Sequence, residues 1–303
     1  MNVIECSGLS KNYGRKKALC GMSAEIHENR ITGLIGRNGA GKTTFLKIAA
    51  GFLKSTSGDI RVFSENPFNS LKVSANLIFI DDGMKFPLSI CISDIIDSAG
   101  SFYKNFDMRL AKALLDYFGL DPNECHKNLS KGMKSTFNSI LGISARCALT
   151  IFDEPTNGMD AAVRRDFYRA LLKDYVEFPR SIIISSHHLN EIEDILEDVL
   201  LIKEGKECLH VPISDLSQMA IGIMGTTESV ERLAGIRAVY HKESVGRGST
   251  YIVVQNNLSE EEIKSAKVSG IEISPVSSED ICVYLTDKAK GGIDSVFDRA
   301  KDE

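Results

Sequence analysis

The string Gly36-Arg37-Asn38-Gly39-Ala40-Gly41-Lys42-Thr43 follows the pattern G-x-x-x-x-G-K-[ST]. Glycines let a backbone curl until its N–H groups point inward at phosphate oxygens. A helix beginning where the loop ends adds the positive end of its dipole. In such a loop Lys42 reaches the β- and γ-phosphates of a nucleoside triphosphate, and Thr43 binds Mg2+. Gly36, Asn38, Gly39, Ala40, Gly41, Lys42, Thr43 and Thr44 are therefore the candidate nucleotide-binding set. A chance glycine-rich turn could carry the same letters, but it would not need a strand before it and a helix after it. By itself the loop implies nucleoside triphosphate binding and no more.

A second string supplies what the loop lacks. Ala148-Leu149-Thr150-Ile151-Phe152-Asp153-Glu154-Pro155 reads as an apolar strand ending in two carboxylates. Asp153 is placed to hold Mg2+, directly or through water. Glu154 is placed to polarise an attacking water as general base. An acidic turn after a core strand is the plainer reading. It explains less when a phosphate loop lies upstream.

The flanking sequence provides the elements that must position these groups. An apolar run over residues 30–35 enters the loop, and residues 45–50 continue as a helix that Gly51 can end. Residues 76–80 form another apolar strand. Residues 87–147 read as mainly helical, with Ser93 as a helix cap and Gly119 as a helix end. Residues 148–152 and 181–184 read as buried parallel strands with a crossover helix over 161–173. Residues 199–202 and 206–211 flank Gly205 as a hairpin. After about residue 212 the texture changes. Residues 250–254 are strand-like, Ser259-Glu260-Glu261-Glu262 opens a capped helix, and residues 281–285 read as a last strand. The tail, residues 299–303, reads as a solvated helix end or a frayed terminus.

The bulk properties narrow the function classes. The chain has 303 residues, is 43% hydrophobic and carries a formal net charge of -5. That suits one large domain with an appendage, or two domains. It does not suit a dedicated nucleic-acid binder. Seven scattered cysteines without a C-x-x-C pair argue against a disulfide framework or a zinc site. Met1-Asn2-Val3-Ile4-Glu5-Cys6 has neither the basic flank nor the apolar core of a secretory leader. No stretch approaches the roughly 18 apolar residues of a membrane span.

Across residues 1 to about 210 the sequence resembles the ATPase subunits of ABC transporters. Leu129-Ser130-Lys131-Gly132-Met133, ahead of the strand ending in Asp153, is similar to that family's L-S-G-G-Q signature. The resemblance implies that Ser130, the backbone at Gly132 and the helix start after them contact a γ-phosphate held by the opposite protomer. It implies that Tyr13 stacks on adenine. It implies that Asn157-Gly158-Met159-Asp160 crosses the dimer interface and ends in its aspartate, Asp160. It also implies that His187 is the switch histidine, hydrogen-bonding the γ-phosphate and helping to orient the water. His188 is adjacent; His187 is chosen because it directly follows the strand-end pair Ser185-Ser186. Lys42, Glu154 and His187 are then the catalytic set.

Two departures stand out. Asp81-Asp82-Gly83 occupies the place where the family has a glutamine that ligates Mg2+. Asp82 is the preferred alignment and Asp81 the alternative, so the metal set is Thr43, Asp153 and Asp82. A carboxylate remains a competent hard ligand, but it adds negative charge beside the triphosphate. Lys131 and Met133 replace the usual glycine and glutamine. Lys131 either attracts phosphate or points to solvent. The S-K-G-M form resembles that of single-cassette bacterial subunits partnering exporter permeases.

The expected fold is α/β: a P-loop ABC ATPase core over residues 1–211, with a β-rich lobe and a helical subdomain over about 87–147. A small α+β accessory domain follows over 212–303. The resemblance implies ATP and Mg2+ as ligands and two protomers sandwiching two ATP molecules, in a homodimer or in a heterodimer with another ATPase subunit. It implies a separate transmembrane permease, contacted through residues 83–101, where Lys85-Phe86-Pro87-Leu88 serves either a docking groove or core packing. Export is the expected direction. The expected location is the cytoplasm, at the inner face of the cell membrane through the permease. No nucleic-acid partner is expected, although a soluble ABC-family ATPase acting on ribosomes or nucleic acid is the alternative.

Overall fold

The computed structural model describes residues 1–246 and 248–287. The tail over 299–303 lies outside the described residues. The chain forms two compact units, one from Met1 to Ile213 and one from Ser214 onward.

The first unit is built on a six-stranded sheet. Its strands are β3 (Ile31–Ile35), β5 (Leu77–Ile80), β6 (Leu149–Asp153), β7 (Ser181–Ser186), β8 (Asp198–Lys203) and β9 (Lys206–Pro212), in the order β5-β6-β7-β3-β8-β9. The first five run parallel, and β9 closes the edge as an antiparallel hairpin with β8. Every residue of β3, β5, β6 and β7 is buried. That is why these segments read as unbroken apolar runs: a parallel sheet has both faces covered. A second sheet pairs β1 (Asn2–Tyr13) with β2 (Lys16–His27) and with β4 (Ser57–Val62), all antiparallel. Here β2 alternates buried and exposed residues, as a strand with one wet face must.

Helix α1 (Lys42–Ala49) begins at the end of the phosphate loop, and α2 (Leu71–Asn76) leads into β5. The fully buried Phe45 and Leu46 of α1 join Leu34, Ile151, Ile183 and Leu200 of the large sheet in one core cluster. Each such side chain contributes roughly 1.5–3 kcal/mol. The loop is therefore anchored by packing on both sides.

Residues 87–147 are helical, with α3 (Ile92–Phe102), α4 (Met108–Tyr117) and α5 (Lys131–Ala145). One detail differs from the sequence reading. Ser93 does not cap α3; the cap is Cys91, whose backbone N–H donates to Asp94 Oδ2 at 3.4 Å. The capping box sets Asp94 three residues after the cap, which moves the start ahead of Ser93. Helix α6 (Ala161–Glu177) crosses from β6 to β7.

The second unit follows a β-α-β-β-α-β path. Helix α7 (Ile213–Gln218) precedes it. The path runs through β10 (Ala220–Thr226), α8 (Thr227–Ala234), β11 (Val239–Ser244), β12 (Ser249–Gln255), α9 (Glu260–Val268) and β13 (Glu272–Pro275). The strand order β11-β12-β10-β13, all antiparallel, is the split β-α-β arrangement. Ser259 and Glu262 form the capping box that opens α9. Residues 281–285, expected as a strand, belong instead to helix α10 (Ser278–Thr286). A short apolar run cannot separate a strand from a buried helix. What decides it is the Ser277 hydroxyl, which accepts from Asp280 N at 3.0 Å, with Glu279 and Asp280 in the first turn. The buried residues Ser278, Ile281, Cys282 and Thr286 then share one helical face.

Candidate active site

The loop leaves β3 and delivers Lys42 as the first residue of α1. Gly41 caps the helix at φ 114°. A Cβ there would lie 2.7 Å from the Ala18 carbonyl oxygen, so neither the dihedral nor the space admits a side chain. Lys42 is 6% exposed. Its Nζ donates to the Gly36 carbonyl at 2.6 Å and pairs with Glu154 Oε1 at 3.2 Å.

Asp153 ends β6 beneath the loop and is buried. Ser185 Oγ donates to its Oδ1 at 2.6 Å. Burial pushes the Asp153 carboxyl above its ordinary value; hydrogen bonds from Ser185 and Thr43 oppose the shift, while the charges of Glu154 and Asp81 add to it. Glu154 follows with a left-handed backbone, φ 50°, rare for a residue with a side chain. Its N–H is held by Ser185 Oγ at 3.0 Å. Its Oε2 lies 2.9 Å from His187 Nδ1. Ser185 thus ties the Asp153 carboxylate to the Glu154 backbone through one hydroxyl. In the sequence it marked only a strand end; its place beside Asp153 in the β6–β7 register reveals its role.

Lys42, Glu154 and His187 line one cleft of about 490 Å3, with Asp153 and Ser185 buried outside its lining. Tyr13, 46% exposed, stands on its wall with Asn38, Gly39, Ala40, Gly41, Thr43, Thr44, Glu154 and His187. Lys16 and Arg37 bring positive charge to it and Asn157 a polar side chain, three residues outside the sequence-derived set. His188 packs its ring on His187, centroids 4.1 Å apart.

Ser130, Gly132 and Asp160, like Gly36, Asp82 and Asp153, are not among the residues that line that cleft. Ser130 caps α5, accepting from Met133 N at 3.3 Å. Gly132 sits so close to the loop after Glu154 that a Cβ would meet the Gly158 carbonyl oxygen at 2.4 Å. Asp160 caps α6, accepting from Ala162 N and Val163 N at 2.9 Å each. Asp82 occupies an exposed turn. Asp81 is the better placed of the two aspartates. Ile80 stands beside Phe152 in the parallel register, so Asp81 and Asp153 leave the sheet side by side.

Among the described residues no group of three or more His, Cys, Asp or Glu side chains could hold a metal. Mg2+ at a triphosphate does not require one, since it takes one or two protein oxygens with phosphates and water. The Thr43 hydroxyl bonded to the buried Asp153 carboxylate is such a donor pair, and the residues fit the ion.

A glycine loop between β3 and α1, facing two strand-end carboxylates from a parallel sheet, defines a phosphate-loop nucleoside triphosphatase. Residues 19–157 match the family model described as ABC transporter. The chain is 28% identical over 232 residues to the ABC transporter ATP-binding protein YtrB of Bacillus subtilis (strain 168), covering 77% of this chain and 80% of that one. It is 30% identical over 220 residues to the bacitracin transport ATP-binding protein BcrA of Bacillus licheniformis, covering 71% and 72%. A solved structure of the ATP-binding subunit of an ABC transporter superposes with a TM-score of 0.64 at 20% identity, covering 71% of this chain and 91% of that one. The chain belongs to the ABC transporter ATP-binding family, as an ATP-binding subunit and an ATPase. No helix among the described residues is long and apolar enough to cross a membrane.

Proposed function

We propose that two copies of this chain close head to tail around two ATP molecules and drive a separate membrane permease. The observation that carries this reading is that Ser130 and Gly132 do not line the cleft formed by the chain's own phosphate loop. The α5 N-terminus, capped by Ser130, suits an anion, and that anion would be a phosphate held by the opposite copy.

In this reading Tyr13 stacks on adenine, and the loop from Gly36 to Thr44 binds the phosphates. Lys42 reaches the β- and γ-phosphates. Thr43 and Asp153 hold Mg2+, with Asp81 rather than Asp82 as the nearby acidic group. The ion supplies charge neutralisation at the transferring phosphoryl group. Glu154 accepts the proton of the attacking water. Its bond to His187 and its Ser185-held backbone keep the carboxylate aimed. His187 orients the water and the γ-phosphate. Asp160 braces the interface loop through its cap on α6.

The permease would dock in an apolar cleft of about 470 Å3, lined by Met84, Phe86, Ile90, Ile95 and Phe102 among others. Phe86 also packs edge-on to His126 at 4.7 Å, while Leu88 is 72% exposed. The 85–88 string therefore serves both the groove and the core. Residues 1–211 act as the ATPase cassette and 212–303 as an accessory domain. The subunit would sit in the cytoplasm against the inner face of the membrane. Export is supported by the likeness of Ser130-Lys131-Gly132-Met133 to exporter-type signatures; a relative named for bacitracin transport is compatible with it.

Ser130→Arg tests the composite site. The variant should still bind ATP as a monomer but lose ATP-dependent dimerisation and ATPase activity. Full ATPase activity in a monomeric Ser130→Arg protein would overturn the reading.

A further inference from the structure

Lys47 and Asp81 form an ion pair at the foot of the phosphate loop, Nζ to Oδ2 at 3.2 Å, with the Asp81 side chain 14% exposed. Helix α1 carries Thr43 and Lys47 four residues apart, hence on one face. Strands β5 and β6 bring Asp81 and Asp153 to adjacent positions at the sheet edge. Thr43 bonds Asp153, and Lys47 pairs with Asp81. One helix face is thereby joined to two neighbouring strand ends by two parallel contacts.

Asp81 is held from other sides as well. Its carbonyl oxygen accepts from Asn138 Nδ2 of α5 at 3.2 Å. Gly83 folds back over it, so that a Cβ there would lie 3.5 Å from both carboxylate oxygens. The Lys47 ammonium also lies 6.0 Å from the centroid of the Phe79 ring, on the strand that leads into Asp81. This carboxylate is positioned, and its charge reaches Asp153. An unbalanced negative charge beside the Asp153 carboxylate would change divalent-cation affinity severalfold.

On the reading of Thr43 and Asp153 as the Mg2+ donors, we infer that Lys47 is a positioning residue of the metal site: it neutralises Asp81 and holds that carboxylate away from direct ligation. Divalent-cation affinity is then set by the Lys47–Asp81 pair as a unit. Removing either partner alone moves the affinity, and the two changes have opposite sign. Without Lys47, the Asp81 carboxylate is uncompensated and free to turn to the cation, and binding tightens. Without Asp81, the Lys47 ammonium repels the cation, and binding weakens.

The test measures Mn2+ binding to the full chain with a non-hydrolysable ATP analogue, reading free Mn2+ by electron paramagnetic resonance. Lys47→Met should lower the Mn2+ Kd about fivefold, and Asp81→Asn should raise it by a similar factor. The double variant should return to within about twofold of wild type, because the two opposite changes in charge cancel. Lys47→Arg, which keeps charge and reach, should leave Kd unchanged. Single variants that shift Kd in the same direction, or a Lys47→Arg protein that behaves like Lys47→Met, would overturn the inference. Asp153→Asn reads the donor assignment separately. It should abolish Mn2+ binding; retained binding there would overturn the donor reading itself.

Discussion

The hydroxyl of Ser185 donates to Asp153 and accepts from the backbone N–H of Glu154. It is buried at the end of β7, where water cannot replace it. Ser185→Ala would leave Asp153 buried with one fewer donor and release the strained Glu154 backbone. Losing a supporting residue of a metal site commonly costs about 10- to 100-fold in activity. Ser185→Ala should therefore lower kcat by that factor, with ATP affinity little changed, in steady-state assays at saturating Mg2+. A variant with wild-type kcat would show that Asp153 and Glu154 hold their places unaided. Lys42, Thr43, Asp153 and Glu154 could be read from residue types and spacing, because phosphate binding and strand-end carboxylates leave fixed signatures. Ser185 and Lys47 could not. Their places beside Asp153 and Asp81 come from strand register and from one face of α1, which need the fold in hand.

Helix α5 runs from Ser130 to contacts with Asn157, His126 and Asp81. Ser130 caps it, Ser135 Oγ donates to the Asn157 carbonyl at 2.7 Å, and Asn138 reaches both His126 and the Asp81 carbonyl. His126 is buried against Phe86 and Phe137. Desolvation holds its imidazole below the ordinary histidine value of 6.5, with Asn138 opposing the shift and the Lys134 charge adding to it. The folded state thus favours neutral His126. Its stability is present above pH 6.5 and is lost as pH falls below that value toward the folded pKa. Protection factors around residues 84–86 and 126–138, corrected for the intrinsic slowing of amide exchange at lower pH, should fall between pH 7 and pH 5.5. His126→Gln should remove that dependence, and an unchanged pH response in the variant would refute it. The long buried elements were legible because continuous apolar runs flanked by caps and glycines have few alternative readings. The start of α3 and the helix at Ser278–Thr286 were misread at short range. In both, a capping side chain outweighed the residues read as a cap or a strand.

The two units have separate interiors. One core cluster runs from Val3 to Ile202, and another lies between Ile221 and Ile273. A chain ending at Ile213 should therefore keep a cooperative melting transition and bind ATP as the full chain does. Loss of ATP binding on truncation would mean that the second unit supports the nucleotide site. For the proposed two-copy assembly the residue to test is Glu154, bonded to His187 and paired with Lys42. The most direct measurement compares MgATP hydrolysis and oligomeric state for wild type and Glu154→Gln. Removing the general base should slow hydrolysis by roughly 10^2- to 10^4-fold. ATP should still bind, so the variant should accumulate as a stable ATP-bound dimer on size exclusion. Hydrolysis at the wild-type rate, or a Glu154→Gln protein that remains monomeric at saturating MgATP, would contradict the account.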